Sequence, residues 1–224
     1  MKGRRKVLLS WSSGKDGAWS LHRLGADPEF EVVGLLTTVN AVAGRVAMHG
    51  VRECLLERQA DSVGLPLWRV PIPSPCSNAE YQAAMTQVVT RAAEVGVEGI
   101  AFGDLFLRDI RRYREQQLAG SGLDPVFPIW GLETARLARE MVGAGLRARV
   151  TCVDPRQLDP GFAGRLFDDA LLDALPPDVD PCGENGEFHT FAFAGPMFAE
   201  PIPVELGPVV ERDGFRFADL LPRA

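Results

Sequence analysis

Apolar positions along the chain follow two alternating periods. Short runs at residues 6–9, 31–39, 65–71 and 98–104 have the length and continuity of buried parallel strands. Between them, residues 18–25, 51–64, 77–96 and 109–120 place apolar side chains three and four apart, as one face of a helix does. The first helix is expected to stop at Gly25, and Ser77 with Glu80 makes a capping box at the start of the third. Residues 40–50 read as a flexible connection and residues 125–130 as a fifth strand or extended segment. Strands alternating with helices at this spacing imply right-handed crossovers and a parallel sheet, whose ligands bind beyond the carboxyl ends of the strands.

Near residue 132 the pattern shifts. Helices are expected over 133–145 and 161–175, a strand over 146–153, and short strands at 188–193, 202–206 and 215–217. Gly143-Ala144-Gly145-Leu146-Arg147-Ala148 fits a dinucleotide-loop pattern formally, but it follows a helix and precedes a strand, so it reads as a helix C-cap. Two units result, a nucleotide-type domain at 1–131 and a smaller substrate-binding domain at 132–224.

Composition narrows the class. The 224 residues are 46% hydrophobic and 24% charged, enough for one large domain or one medium domain with a small companion. A net charge of -6 argues against bulk nucleic-acid binding. No apolar run approaches the roughly 18 residues needed to span a bilayer, and the N-terminus does not resemble a secretory signal. Cys54, Cys76, Cys152 and Cys182 are scattered without a C-x-x-C pair, which points to thiols in a reducing cytoplasm rather than disulfides or zinc.

The candidate chemistry starts with Ser10-Trp11-Ser12-Ser13-Gly14-Lys15-Asp16-Gly17, between the first strand and the first helix. Small residues at a helix N-terminus let backbone N–H groups approach a phosphate, and Lys15 adds a full charge. The P-loop spacing is absent, because Leu9 stands five before Gly14 and Asp16 follows Lys15. On these residues alone, a serine-rich turn and an anion loop both stand. Topology brings Thr37, Thr38, Gly103 and Asp104 to the same edge of the sheet. A second cluster is Cys182-Gly183-Glu184-Asn185-Gly186-Glu187-Phe188-His189-Thr190-Phe191, where strand alternation puts Glu187 and His189 on one face. It reads equally as a solvated turn and as a pair that orients substrate or handles a proton.

The first loop resembles the S-G-G-x-D-S loop of the PP-loop ATP pyrophosphatases. Gly183 to Phe191 with Gly195-Pro196-Met197-Phe198 is similar to the C-terminal signature of the diphthine–ammonia ligase family within that group. Gly103-Asp104 with Arg111, Arg114 and Glu115, then Pro128-Ile129-Trp130, resembles its middle motif. The resemblance spans nearly the whole chain. It implies a Rossmann-like (HUP-type) α/β domain, a parallel sheet with helices on both faces, and a smaller α+β C-terminal domain. It also implies ATP-dependent amidation, in which a carboxylate attacks the α-phosphate, pyrophosphate leaves, and ammonia displaces AMP. The backbone of Ser12, Ser13, Gly14, Lys15, Asp16 and Gly17 would hold pyrophosphate, with Lys15 offsetting its charge and Asp16 helping to hold Mg2+. Thr37, Thr38, His49, Gly103 and Asp104 would complete the nucleotide site. Arg111, Arg114 and Glu115 would meet substrate, although two arginines on a polar helix also read as a solvated face. Glu184, Asn185, Glu187 and His189 would position the acceptor or receive ammonium, with Glu187 placed among the catalytic groups beside Lys15 and Asp16. His49 reads either as touching the nucleotide or as capping a helix.

Two positions depart from the family pattern. Gly17 stands where a serine is usual, and Ser13 where a glycine is usual. The acceptor class, a small carboxylic acid or a protein side chain, stays open. A nucleotide-binding or AMP-sensing module without turnover and a tRNA-modifying PP-loop enzyme are the alternatives, the acidic balance counting against the second. The proline-bounded tail strands are compatible with a homodimer.

Overall fold

A computed structural model describes residues 3–46 and 48–223. In chain order, β1 (Arg5–Ser10) leads through the serine-rich loop into α1 (Lys15–Ala26), followed by β2 (Phe30–Asn40) and the two-residue β3 (Arg45–Val46). Next come α2 (Glu53–Val63), β4 (Leu67–Ile72), α3 (Asn78–Glu94), β5 (Gly99–Ala101), α4 (Arg108–Leu118) and β6 (Asp124–Val126). The remainder is α5 (Thr134–Gly143), β7 (Arg147–Val153), a 3-10 turn (Pro160–Phe162), β8 (Leu166–Phe167), α6 (Asp169–Ala174), β9 (Phe188–Ala194), β10 (Val204–Arg212) and β11 (Phe215–Pro222).

The first sheet has the parallel order β4-β2-β1-β5-β6, with β3 joined antiparallel to the carboxyl end of β2. From β1 the chain runs outward to β2 and β4, then returns to the other side for β5 and β6. The reversal between β1 and β5 is a topological switch point, where such sheets leave a crevice. Right-handed crossovers put α1 and α2 on one face and α3 and α4 on the other. The first face shares a continuous core with the second sheet, through Leu9, Trp11, Leu35 and Leu55 against Phe188, Phe191 and Ala192. The opposite face holds a smaller core around Leu8, Leu36, Ile100 and Phe102.

The second sheet is antiparallel, ordered β10-β11-β7-β8, with β9 on the other edge of β7. Its edge strand β9 meets α1, so the second sheet faces the phosphate-type loop directly.

Several expectations need correction. The first helix passes Gly25 and ends at Ala26, because Pro28 drives Asp27 into extended backbone (φ -90, ψ 117). Residues 40–46 are ordered by Asn40, whose side chain accepts from the N–H groups of Val42 and Ala43 at 3.0 and 2.9 Å, and they contain β3. Ala47 lies outside the described residues. The helix expected over 161–175 is broken by Gly164 at φ +85, and Phe167 joins β7 as β8. Only then does Asp168, accepting from Leu171 N at 2.9 Å, cap the short α6. Past β6, Trp130 N bonds back to Phe127 O at 3.3 Å, so residues 127–130 turn rather than extend. The capping box at Ser77 and Glu80 and the C-cap at Gly145 (φ +87) form as the sequence predicts. No helix among the described residues is long and apolar enough to cross a membrane.

Candidate active site

At the switch point lies a crevice of about 550 Å³. Its floor is the loop after β1. Gly14 caps α1 in extended backbone with no side-chain bond, leaving first-turn N–H groups without intrahelical acceptors. The amide of Lys15 donates to Thr190 Oγ1 at 3.1 Å. Ser13 occupies left-handed backbone at φ +72 and is fully buried, and its hydroxyl has no partner. Glycine adopts that conformation without the Cβ clash, which explains the family's preference there. The shape of the loop is imposed from outside. Ala192 N donates to Ser13 O at 2.9 Å, and Gln59 Nε2 reaches Ser13 O at 2.9 Å and Ala192 O at 2.6 Å.

Lys15 is not a free phosphate ligand. Its side chain is 2% exposed, its Nζ donates to Asp16 Oδ2 at 2.9 Å and to the Cys182 carbonyl, and it lies between the Phe167 and Phe188 rings. Burial opposes the ammonium, but Asp16, joined by Cys182 and Asp180, outweighs it and holds the pKa above the ordinary lysine value. Asp16 therefore faces the crevice with a counter-ion already behind it.

The far wall brings Asp104, Arg114 and Glu184 together. Arg114 Nε stands 3.6 Å from Asp104 Oδ2, and both atoms are buried without a hydrogen-bond partner. The guanidinium stacks over Phe102 at 4.9 Å. Glu184 Oε1 accepts from the N–H groups of Leu105 and Phe106 at 2.7 and 3.3 Å. Burial pushes Glu184 up to about 7; the two N–H bonds oppose that shift, and the Asp16 and Asp104 charges add to it. Gly103 lets the chain pass close to the loop, since a Cβ would come within 3.1–3.2 Å of the Asp16 and Gly17 backbone.

His49 and His189 close the crevice from above, with ring centroids 4.7 Å apart. His49 Nδ1 lies 3.0 Å from the Thr190 carbonyl, which fixes the Nδ1–H tautomer and leaves Nε2 as an acceptor. Burial, then the neighbouring charges, lowers His49 to about 3 and His189 to about 4, so both rings are neutral at pH 7. Ser12, Asp16, Gly17, Thr37, Thr38, Gly103 and Asp104 all line the same space.

Other expected residues lie elsewhere. Arg111 bonds Glu115 at 2.8 Å and stacks on Phe127 and Trp130, so neither lines the crevice. Glu187 is buried and holds its own loop, accepting from Asp180 N and Asn185 Nδ2, both at 2.9 Å. Glu187 and Asn185 thus brace the turn that carries Glu184, and the face expected to pair Glu187 with His189 is split between loop and crevice. Sequence reasoning missed Gln59 and Asp219. Gln59 is a fully buried amide on the apolar side of α2, next to Ala60 and one turn from Leu55 and Leu56, and that misplaced polarity was the available signal. Asp219 bonds Arg45 at 2.9 Å and Arg52 at 3.2 Å, pinning the turn that carries His49. No sequence signal linked residues so far apart.

Fold and crevice together define a Rossmann-like α/β protein whose phosphate-type loop is closed by a second, antiparallel sheet. Residues 5–124 match the diphthamide synthase N-terminal domain and residues 133–215 the diphthamide synthase C-terminal domain, and the chain belongs to that family. Among its relatives, the diphthine–ammonia ligases of Bos taurus and Homo sapiens are each 27% identical over 179 residues, covering 73% of this chain and 67% of theirs. The diphthine–ammonia ligase of Danio rerio is 29% identical over 175 residues, 71% of this chain and 68% of its own. By those names the family is one of ligases that form a C–N bond with ammonia.

Proposed function

We propose that this chain is an ATP-dependent amidating ligase that activates an acceptor carboxylate as its adenylate, releases pyrophosphate and forms an amide with ammonia. The observation that carries this reading is the single crevice at the switch point. It sets a helix N-terminal loop suited to phosphates opposite the Arg114–Asp104 ion pair, whose Nε and Oδ2 lie buried 3.6 Å apart without a hydrogen bond. Residues 1–131 act as the nucleotide unit and residues 132–224 as the smaller unit that completes the substrate site. Four free thiols among the described residues fit a reducing, cytoplasmic setting.

The roles follow from position. Backbone amides at 12–17 take the pyrophosphate end of ATP, and Thr37, Thr38 and His49 wall the nucleotide. Lys15 acts through Asp16, balancing its charge and fixing its orientation. Arg114 takes the acceptor carboxylate or the α-phosphate, replacing its long contact to Asp104 with a bidentate one. Glu184, with a pKa about 7, receives the proton that ammonia sheds as it attacks. The neutral histidines offer hydrogen bonds without adding positive charge that would repel ammonium.

Among the described residues no three metal-ligating side chains form a cage. Mg2+ commonly takes one or two carboxylates, with phosphates and water completing its shell, and Asp16 with the unpartnered Asp104 Oδ2 fits that pattern. An ion held there by Asp16 and Asp104 would neutralise charge on the phosphates.

Diphthine is the first acceptor to test, being the one in the relatives' names. Purified protein is incubated with Mg2+, ammonium, a diphthine-bearing protein and ATP labelled at the α-phosphate. The expected result is AMP and pyrophosphate in equal amounts, matched by amide, and a loss of about 100-fold in kcat/KM for Arg114→Gln. ADP with phosphate, or no AMP with any carboxylic acid, overturns the proposal.

A further inference from the structure

Gln59 is a fully buried residue of α2 whose carboxamide touches the loop and both of its neighbours in space. Trp11 Nε1 donates to its Oε1 at 2.8 Å, while its Nε2 donates to Ser13 O at 2.9 Å and to Ala192 O at 2.6 Å. An indole can only donate, so the oxygen must face Trp11 and the two N–H bonds must face the carbonyls. Both amide hydrogens are therefore engaged, one by the loop and one by β9. Leu55, Leu56 and Ala60 anchor the same side of α2 in the core, which fixes where the carboxamide sits.

The Ser13 carbonyl takes a second bond, from Ala192 N at 2.9 Å. Neither Gln59 nor Ala192 lines the crevice, so this carbonyl points away from it. The Ser13–Gly14 peptide is trans, and its N–H points the opposite way from its carbonyl. Gly14 N–H has no acceptor among the described residues, whereas the next amide, that of Lys15, is already taken by Thr190 Oγ1. The backbone does not hold this orientation unaided. Glycine accepts φ of either sign, and Ser13 sits in left-handed backbone at φ +72, from which a released serine would relax.

We infer that Gln59 is a positioning residue for the phosphate loop. It holds the Ser13 carbonyl back, so that Gly14 N–H, not a carbonyl oxygen, faces the terminal phosphates of the nucleotide. Gln59 itself touches no ligand and acts through that one peptide. The inference rests on the ligase reading for the identity of the anion.

The test separates phosphate binding from the integrity of the crevice. Gln59→Met keeps the length of the side chain and removes both donors. Gln59→Glu keeps an acceptor for Trp11 and removes the paired N–H bonds. Each protein is titrated calorimetrically with pyrophosphate, α,β-methylene ATP and AMP, all with Mg2+. Pyrophosphate and the ATP analogue are expected to bind both variants at least about tenfold more weakly, with AMP within about twofold of wild type. An amide with a merely structural role would weaken every ligand alike, and that result overturns the inference. Unchanged pyrophosphate affinity in both variants overturns it too. Wild-type protein labelled with 15N-glycine gives a measurement that needs no variant. Pyrophosphate should shift the Gly14 amide resonance saturably, and an unmoved signal overturns the inference even if neither variant folds. Wild-type protein that binds neither pyrophosphate nor the ATP analogue would sink the ligase reading and this inference together. Selective loss in the variants, with no AMP formed from labelled ATP by the wild type, would sink the ligase reading alone.

Discussion

The two walls of the crevice are built in opposite ways. Along residues 10–17 backbone amides and the Asp16 carboxylate are on offer, while two side chains withdraw: Ser13 is buried with an idle hydroxyl, and the Lys15 ammonium crosses to the Cys182 carbonyl. Along residues 182–190 the side chains of Glu184 and His189 reach the crevice, while the Thr190 hydroxyl and the Cys182 carbonyl hold the first wall by accepting from the Lys15 amide and ammonium. The loop is thus not self-sufficient. A helix N-terminus supplies its positive potential, and a strand of the other sheet supplies its shape. In this chain the lysine of the motif belongs to the second wall as much as to the first.

The comparison breaks most sharply at Lys15. Lys15→Met strands Asp16 without its buried partner and should cost about 3 kcal/mol in urea denaturation. If Lys15 served chiefly as a phosphate ligand, stability would stay near wild type while ATP affinity collapsed. Ser13→Gly sharpens the comparison in the other direction. Relieving left-handed backbone and an unpartnered hydroxyl should raise stability by about 1 kcal/mol, with ATP affinity kept or improved.

Protonation tests the same two walls. His49 and His189, near 3 and 4 in the folded chain against 6.5 unfolded, bind fewer protons folded than unfolded between those values. Their contribution is therefore complete above pH 6.5 and is lost as pH falls toward 4. Glu184 works the other way, raised to about 7 from 4.5, so its contribution declines as pH rises through that window. Glu184→Gln should consequently steepen the rise of stability between pH 4.5 and 6.5, and His189→Gln should flatten it. Parallel curves for both variants would mean that these side chains are solvated in the folded protein.

What was legible in the sequence divides along the same line. The parallel sheet, its crevice and the loop were readable because strand and helix periods are strong and local, as the capping box at Ser77 illustrates. Contacts between the sheets were not. The helix expected over 161–175 failed because Phe167 pairs with β7 and packs beside Lys15, a choice made by tertiary partners over local propensity. Arg111 and Arg114, three apart on one helix, looked equivalent, yet aromatic rings from the β6 turn claim Arg111 and leave Arg114 to the crevice. Glu187 looked catalytic because two residues in a strand share a face, whereas strand β9 begins only at Phe188 and Glu187 still belongs to the turn it braces.

The most direct measurement is a crystal structure of the protein with α,β-methylene ATP and Mg2+. The account predicts the β- and γ-phosphates on the backbone amides of residues 12–17 and the α-phosphate turned toward Arg114. Phosphates held away from the loop would contradict it.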